Sequence, residues 1–209
     1  MFHHRVTQFE QEVVTIHPGE YYSTGEDTII STVLGSCVAV AIFDPAKAVG
    51  GLNHFMLPGE LASGKPAAEE LAANPNAKYG MFAMELLIND LMKMGLSKSS
   101  MRAKVFGGGA VLRFTDGSTS SIPVSNVEFA FEYLREERIP VLASDVGGHD
   151  PRKIFFYART GKVLLKRIAG NLAELVEREE ERYLSSIRGR ELVGPALLFG
   201  EEQNKGGPR

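Results

Sequence analysis

Residues 28–45 read Thr-Ile-Ile-Ser-Thr-Val-Leu-Gly-Ser-Cys-Val-Ala-Val-Ala-Ile-Phe-Asp-Pro. Residues 28–34 are mostly β-branched or apolar and predict one strand, and residues 38–43 predict a second strand that stops before Asp44-Pro45. A continuous apolar run such as residues 38–43 is typical of a strand that is buried on both faces. The two strands, with a short Gly-Ser-Cys segment between them, therefore indicate a sheet that is covered on both sides.

Helical spacing is clearest after residue 78. Apolar residues from Tyr79 to Met94 recur at steps of three and four, and Gly95 suits the left-handed end of a helix. A second helix is expected to begin at Ser125, because Ser125 and Glu128 have the spacing of a capping box. Leucine residues at helical spacing also predict a helix within the charged residues 171–188.

Strand candidates surround these helices. Residues 154–165 predict a β-hairpin with Gly161 at a positive-φ position. Because strands come first and helices and strands then mix, we expect a single α+β domain. Its form would be a layered α/β sandwich in which a mixed or antiparallel sheet packs with helices. The domain is expected at residues 13–168, after an N-terminal arm of residues 1–12. Residues 169–209 are expected to form a C-terminal helical extension with a disordered tail.

Composition excludes several classes of protein. The chain has 209 residues and a net charge of −3, so it lacks the electrostatic footprint expected for binding nucleic acid or an anionic membrane. No apolar run approaches the roughly 18 residues of a transmembrane helix, and the start lacks the apolar core of a signal peptide. With one cysteine there is neither an intrachain disulfide nor a cysteine-based zinc site. We expect a cytoplasmic protein without metal or cofactor.

Cys37 is the most informative residue. A lone cysteine is usually a small buried apolar side chain, which is the alternative interpretation here. However, Cys37 follows Gly35-Ser36 between two apolar strands, and glycine allows the backbone to approach closely and to expose its N–H groups. These are properties of a nucleophile beside an oxyanion hole, with the backbone N–H groups near Ser36 and Cys37 as the donors.

A thiol nucleophile needs a base, and His54 is the candidate among the five histidines. His54 lies inside an apolar strand, where it is either a hydrogen-bonded core residue or a catalytic one. The strands that carry Cys37 and His54 are consecutive and are expected to pair. Ser31 has the same strand parity as Cys37 and is the candidate that orients the imidazole; Thr32 replaces it if Gly35 breaks the parity.

The two segments Leu34-Gly-Ser-Cys37 and His54-Phe-Met-Leu-Pro58, with the histidine seventeen residues after the cysteine, resemble the chemoreceptor glutamine deamidase family, CheD. The resemblance runs from about residue 13 to about residue 168. Where the family often has Gly-x-Arg-Asn, this chain has Pro123-Val-Ser-Asn126. Further matching stretches are Lys78-Tyr-Gly80, Val105-Phe-Gly-Gly-Gly109, Asp145-Val-Gly-Gly148, Arg152-Lys153 and Thr160-Gly-Lys162.

The resemblance implies an enzyme, a protein-glutamine glutaminase with a cysteine nucleophile and a fold similar to bacterial toxin deamidases. It implies a Cys37-His54-Ser31 triad, because the family's hydroxyl residue lies six positions before the cysteine. The implied substrate is the cytoplasmic coiled coil of chemotaxis receptors, and a CheC-type phosphatase is an implied partner in some bacteria. Glycine-rich turns are candidates for the walls of the substrate groove: Gly107, Gly108, Gly109, Gly147 and Gly148.

Two other functions remain open at this point. A non-catalytic binding module of the chemotaxis array would keep Cys37 as an inert core residue. A cysteine hydrolase of different specificity, such as a receptor methylesterase, would use the same residues, because both reactions pass through an acyl-enzyme.

Overall fold

The computed structural model describes residues 1–5, 9–59, 61, 75–111, 121–169 and 171–188. Within these ranges the chain forms ten strands and three helices. In chain order they are β1 (Phe2–Arg5), β2 (Glu12–Thr15), β3 (Tyr21–Thr24), β4 (Thr28–Leu34), β5 (Val38–Asp44), β6 (Val49–Asn53), α1 (Pro75–Lys93), β7 (Arg102–Gly107), α2 (Ile122–Glu136), β8 (Val141–Val146), β9 (Arg152–Tyr157), β10 (Val163–Arg167) and α3 (Asn171–Arg188).

The strands form two five-stranded sheets. The first has the order β1-β2-β4-β9-β10 and the second the order β3-β6-β5-β7-β8. Each sheet is mixed, since β2 and β4 are parallel in the first, β7 and β8 are parallel in the second, and the other neighbours are antiparallel. The predicted α+β class is confirmed, with two sheets where the sequence indicated one.

The position of β5 in the fold explains why residues 38–43 form a continuous apolar run. Val40 and Ile42 belong to a core that the second sheet shares with α1 and α2. Ala39, Ala41 and Phe43 belong to another core, which lies between the two sheets. Successive side chains of a strand point to opposite faces, so a strand between two cores must be apolar at every position.

The clearest local predictions agree with the structure. α1 buries Leu87 and Leu91 against the second sheet, and Gly95 follows it with φ of 93°. β9 and β10 form the expected hairpin, in which Val163 pairs with Phe156. Gly161 in the turn has φ of 72°, a conformation that glycine adopts at little cost.

Two local predictions differ from the structure. α2 begins at Ile122 with Ser121 in the cap position, so Ser125 lies inside the helix. The Ser125 hydroxyl instead accepts a hydrogen bond from the Leu61 backbone N–H at 3.1 Å. Phe2–Arg5, within the predicted arm, form β1 and pair with β2. The pairing of β1 gives the start of the chain backbone hydrogen bonds, which a loose arm would lack.

The C-terminal extension contains α3, and the expected tail of residues 200–209 lies outside the described residues. The division of the chain at residues 12 and 168 stays a prediction. Among the described helices, none combines the length and the apolar character that a membrane span requires.

Candidate active site

Cys37 and His54 lie at one end of the space between the two sheets. β5 and β6 are antiparallel neighbours, as expected, and a bridge between Val38 and Phe55 continues their pairing. Cys37 has the strand parity of the β5 residues that face the first sheet, and His54 has the parity of Leu52, which faces the same way. The two side chains are therefore diagonal neighbours on one face.

The reactive atoms are close and fully enclosed. Cys37 Sγ, a ring nitrogen of His54 and a carboxylate oxygen of Glu180 all lie within 4.8 Å of one another. Cys37 is 0% exposed, His54 1% and Glu180 3%. The structure thus brings together Cys37 and His54, as the sequence predicted, and adds the Glu180 carboxylate from α3.

The hydroxyl beside His54 is that of Thr32, the predicted alternative, and not that of Ser31, the first candidate. Thr32 Oγ1 lies 2.7 Å from His54 Nδ1, while Ser31 Oγ has no hydrogen-bond partner among the described residues. The hydroxyl of Thr32 also donates to the backbone carbonyl of Ile16 at 2.8 Å. Since a hydroxyl has one proton, Thr32 must accept the proton of His54 Nδ1–H. This fixes the tautomer and leaves the lone pair on Nε2.

The parity argument for Ser31 failed for a topological reason. β4 belongs to the first sheet and β5 to the second, so the segment Gly35–Cys37 crosses between sheets and does not continue one strand. Ile30 and Leu34 of β4 face the second sheet, and Thr32 shares their parity. Ser31 has the opposite parity and points away from His54.

Backbone N–H groups of the turn converge on the Glu180 carboxylate. Oε1 accepts hydrogen bonds from the N–H groups of Gly35 at 2.9 Å and Cys37 at 3.1 Å. Oε2 accepts from the Ser36 N–H at 2.7 Å and from the Ser36 hydroxyl at 2.6 Å. Successive N–H groups that point into one concavity form an anion-binding site, which is the geometry of an oxyanion hole. The N–H groups of Ser36 and Cys37 are the two predicted donors, and the N–H of Gly35 is a third donor.

The glycine-rich segment Gly107–Gly109, at the end of β7, supports the Gly35–Cys37 turn by hydrogen bonds. The N–H of Gly108 donates to the Cys37 carbonyl at 2.7 Å, and the N–H of Gly109 donates to the Gly35 carbonyl at 2.6 Å. Gly107 has φ of 113°, and a Cβ there would lie 2.1 Å from the Cys37 carbonyl oxygen. These three buried glycines thus hold the nucleophile's backbone, and their predicted role in a substrate groove stays a prediction.

The other two predicted groove glycines lie further out. The N–H of Gly147 donates to the Gly107 carbonyl at 2.9 Å, and the Gly148 carbonyl accepts from Ala110 at 2.7 Å. Buried Arg152 fixes the segment through a 2.8 Å ion pair with Asp145. These hydrogen bonds link Gly147 and Gly148 to the glycine-rich segment that supports the Gly35–Cys37 turn, and their predicted role in a substrate groove stays a prediction.

Asn126 of α2 links the turn before β5 to the segment after β6 by hydrogen bonds. Its amide nitrogen donates to the Ser36 carbonyl at 2.8 Å, and its amide oxygen accepts from the Leu57 N–H at 2.8 Å. Asn126 is 0% exposed, so both hydrogen bonds are sheltered from water. One side chain thereby sets the distance between the oxyanion turn and the segment that follows His54.

Burial keeps both reactive groups uncharged in this arrangement. Desolvation raises the pKa of the Cys37 thiol well above its ordinary value, and the charge of Glu180 and a hydrogen bond to it raise this pKa further. Desolvation, followed by the charge of His17, lowers the pKa of His54 to about 3. The thiolate is the reactive form of a cysteine, and this enclosed arrangement disfavours it.

Cys37, His54 and Glu180 also offer the donor types of a zinc site. An ionised carboxylate has about four lone-pair positions. All of them are engaged here, by three backbone N–H groups and the Ser36 hydroxyl. The arrangement therefore fits an anion held by backbone donors better than it fits a metal ligand set.

Sequence reasoning missed Asn126 and Glu180 as site residues. Asn126 lay within a segment compared with the family's Gly-x-Arg-Asn pattern, where it was the matching residue. Glu180 had a weaker signal: it is a charged residue on the helical stripe that also contains Val176 and Leu184, where an apolar residue is expected.

Comparison with known proteins agrees with these observations. Residues 56–167 match the family model described as CheD chemotactic sensory transduction. Among solved structures, that of a Neisseria meningitidis protein of the DUF152 family matches with a TM-score of 0.36 and 13% identity, over 61% of this chain and 53% of that one. This similarity is too low to support an argument.

Three curated relatives match over most of their length. The protein of Shewanella oneidensis, named "Probable chemoreceptor glutamine deamidase CheD 1", is 42% identical over 92% of this chain and 90% of its own. Those of Herminiimonas arsenicoxydans and Laribacter hongkongensis, named "Probable chemoreceptor glutamine deamidase CheD", are each 43% identical over 91% of this chain, and over 91% and 89% of their own. With this agreement of sequence, relatives and site geometry, the chain belongs to the CheD family of chemoreceptor glutamine deamidases.

Proposed function

We propose that this enzyme hydrolyses glutamine side chains of chemotaxis receptors to glutamate, with Cys37 as nucleophile. One observation carries the proposal: the N–H groups of the Gly35–Cys37 turn bind a glutamate side chain within 4.8 Å of the thiol and the imidazole. Glutamate is the product of glutamine deamidation, so the site is shaped for the group that the reaction forms. The names of the relatives supply the receptor as substrate.

In the first half-reaction, His54 Nε2 takes the proton of the Cys37 thiol, and the thiolate attacks the amide carbon of the substrate glutamine. The carbonyl oxygen becomes an oxyanion that accepts hydrogen bonds from the N–H groups of Gly35, Ser36 and Cys37. The C–N bond then breaks, and His54 returns its proton to the leaving ammonia. Proton transfer of this kind contributes about 10² to 10⁴ in rate.

In the second half-reaction, water attacks the thioester. His54 Nε2 takes a proton from the water, the new oxyanion accepts hydrogen bonds from the same backbone N–H groups, and the C–S bond breaks as His54 returns the proton to the Cys37 sulfur. The products are a glutamate side chain and the regenerated Cys37 thiol. Thr32 holds Nδ1–H throughout, so the imidazole keeps the orientation that both steps need.

The substrate is a surface glutamine on a receptor's helical coiled coil. A CheC-type phosphatase as a regulatory partner stays a prediction from the family resemblance. A receptor methylesterase would use the same acyl-enzyme but would release methanol in place of ammonia, so the leaving group separates the two reactions.

The test is mass spectrometry of a receptor cytoplasmic fragment after incubation with the enzyme. The wild-type protein is expected to convert specific glutamines to glutamates with release of ammonia, and the near-isosteric Cys37→Ser variant to lose at least about 10²-fold in rate. Equal conversion by both proteins would overturn the proposal. Methanol release from a methylated receptor, with no loss of glutamine amide, would assign the methylesterase reaction instead.

A further inference from the structure

α3 carries a buried stripe with a single charged member. Val176, Glu180, Leu184 and Ile187 follow one another at helical spacing and are all buried, whereas most of the other described side chains of α3 are exposed or half-buried. A carboxylate in such a stripe is costly unless it is hydrogen-bonded. Glu180 meets this requirement only through its four hydrogen bonds to the Gly35–Cys37 turn.

α3 lies directly over the catalytic residues. On one side a cleft of about 550 Å³ is bounded by α3 residues such as Glu177 and by Val111 and His149 of the domain. On the other side a cleft of about 290 Å³ is bounded by Ile187 of α3 and by residues of α1 and the β6 region. Between these clefts Cys37 is fully enclosed. With Glu180 in place, the backbone N–H groups beside Cys37 have no room for a substrate carbonyl oxygen.

The position of Glu180 is specific to the reaction. It reaches the oxyanion hole from a helix, as a product glutamate on a receptor helix would, and both of its oxygens accept hydrogen bonds there. A block that relied on apolar packing alone would leave these N–H donors without an anion. His54 Nε2, buried and without a partner among the described residues, is still available as the base.

Building on the proposed function, we propose that α3 is an intramolecular product mimic: Glu180 occupies the place of the product glutamate, and α3 closes the active site until a substrate helix displaces it. The closed state disfavours the thiolate, because the carboxylate and the burial act together on Cys37. Departure of α3 both opens the site and removes a negative charge beside the sulfur.

The first test converts the mimic into a substrate. The proposal requires that Cys37, whose Sγ lies within 4.8 Å of a Glu180 oxygen, can attack the amide carbon of residue 180 in the full-length Glu180→Gln variant. The C–N bond breaks, ammonia leaves, water hydrolyses the thioester, and residue 180 becomes glutamate again. Peptide mapping by mass spectrometry is expected to find glutamate at position 180 of this variant, and to find intact glutamine in the Cys37→Ala/Glu180→Gln double variant.

The outcomes separate this inference from the proposed function. If the single variant deamidates receptors but keeps glutamine at position 180, the product mimic is overturned and the proposed function stands. If the wild-type protein deamidates no receptor glutamine and the variant keeps glutamine at position 180, both are overturned. Conversion of residue 180 in the double variant would overturn the inference as well, since Cys37 would not be the agent.

The second test measures access to Cys37. Glu180→Ala is expected to raise the rate of alkylation by iodoacetamide at neutral pH by about tenfold or more, the factor expected from losing even one hydrogen bond to a charged group. It is also expected to lower the KM for a receptor fragment, because substrate no longer competes with the carboxylate. Glu179→Ala, at an exposed position on the same helix, is the matched control and should equal the wild type. Equal alkylation rates and equal KM values in Glu180→Ala and Glu179→Ala would overturn the proposal that α3 closes the active site.

Discussion

Thr32 Oγ1 lies 2.7 Å from His54 Nδ1 and gives its own proton to the Ile16 carbonyl. This chain of two hydrogen bonds connects β4 of one sheet with the segment after β6 of the other. It decides which nitrogen of the imidazole keeps its lone pair, because a hydroxyl that has already donated can only accept. Thr32 is therefore a positioning residue that acts through His54.

Replacing Thr32 tests this relationship. Thr32→Val keeps the shape but removes the acceptor, so His54 loses its preferred tautomer, and we expect kcat for receptor deamidation to fall by up to about 10²-fold. Thr32→Ser restores a hydroxyl and should recover most of the rate. Ser31→Ala is the matched control and should retain wild-type kcat. A loss in Ser31→Ala with none in Thr32→Val would assign the role to Ser31.

The buried imidazole predicts how stability depends on pH. The pKa of His54 is lowered to about 3 in the folded protein, whereas its ordinary value is 6.5. Above pH 6.5 the ring is neutral in both states and contributes no pH dependence. As the pH falls from 6.5 towards 3, the unfolded chain binds a proton that the folded chain does not, so stability falls by about 1.4 kcal/mol per pH unit.

Urea unfolding at a series of pH values measures this loss. His54→Gln should remove the His54 part of the slope between pH 6.5 and 3, whatever its effect on stability at neutral pH. Comparison with the wild type on the same pH series isolates this part of the slope. An unchanged slope in His54→Gln would show that the ring is protonated inside the folded protein.

Asn126 is expected to matter for both stability and rate. Asn126→Ala leaves the Ser36 carbonyl and the Leu57 N–H buried without their partner, which costs about 1–3 kcal/mol for each group. Because the oxyanion turn is then less well fixed, kcat should fall more than KM rises. Asn89→Ala, at a half-buried asparagine of α1, is the control for stability and kinetics. Wild-type kcat in Asn126→Ala would show that the turn holds its geometry without this side chain.

Gly107 and Gly147 form a matched pair for testing the support behind Cys37. Both have positive φ, 113° and 74°, so alanine is strained at either position. At Gly147 no other atom lies within 4 Å of the added Cβ, and the expected cost is about 1 kcal/mol. At Gly107 the Cβ meets the Cys37 carbonyl oxygen, so we expect a further loss of about 1–3 kcal/mol.

Activity distinguishes the two glycines as well. The Gly107→Ala substitution displaces the backbone of Cys37 and should reduce kcat, whereas Gly147→Ala should retain it. Thermal unfolding and receptor deamidation on the same preparations provide the measurements. Equal losses of stability and kcat in the two variants would mean that the clash at Gly107 is relieved elsewhere.

Local patterns in the sequence predicted local structure well. The apolar run of β5, the stripe and glycine stop of α1 and the hairpin at Gly161 were all recognisable, because each depends on neighbours in the chain. The pairing of β5 with β6, and with it the approach of His54 to Cys37, followed from their short connection.

What the sequence did not show depends on long-range packing. Gly35 indicated that Thr32 could replace Ser31, but the decision between them requires knowing that β4 and β5 lie in different sheets. Glu180 is more than a hundred residues from the turn that it contacts, so only the fold brings them together. The strand formed by Phe2–Arg5 likewise depends on pairing with β2, and the sequence of this segment does not predict that pairing.

The crossing of the chain between the two sheets at Gly35–Cys37 has a mechanical consequence. Cys37 and His54 adjoin strands of one sheet and Thr32 belongs to the other, so the spacing between the sheets sets the distances among these three side chains. Ala39 and Ala41 are small side chains of the core between the sheets. A larger side chain at Ala39 or Ala41 would push the two sheets apart. Turnover would then fall, while the protein would still unfold as one cooperative unit.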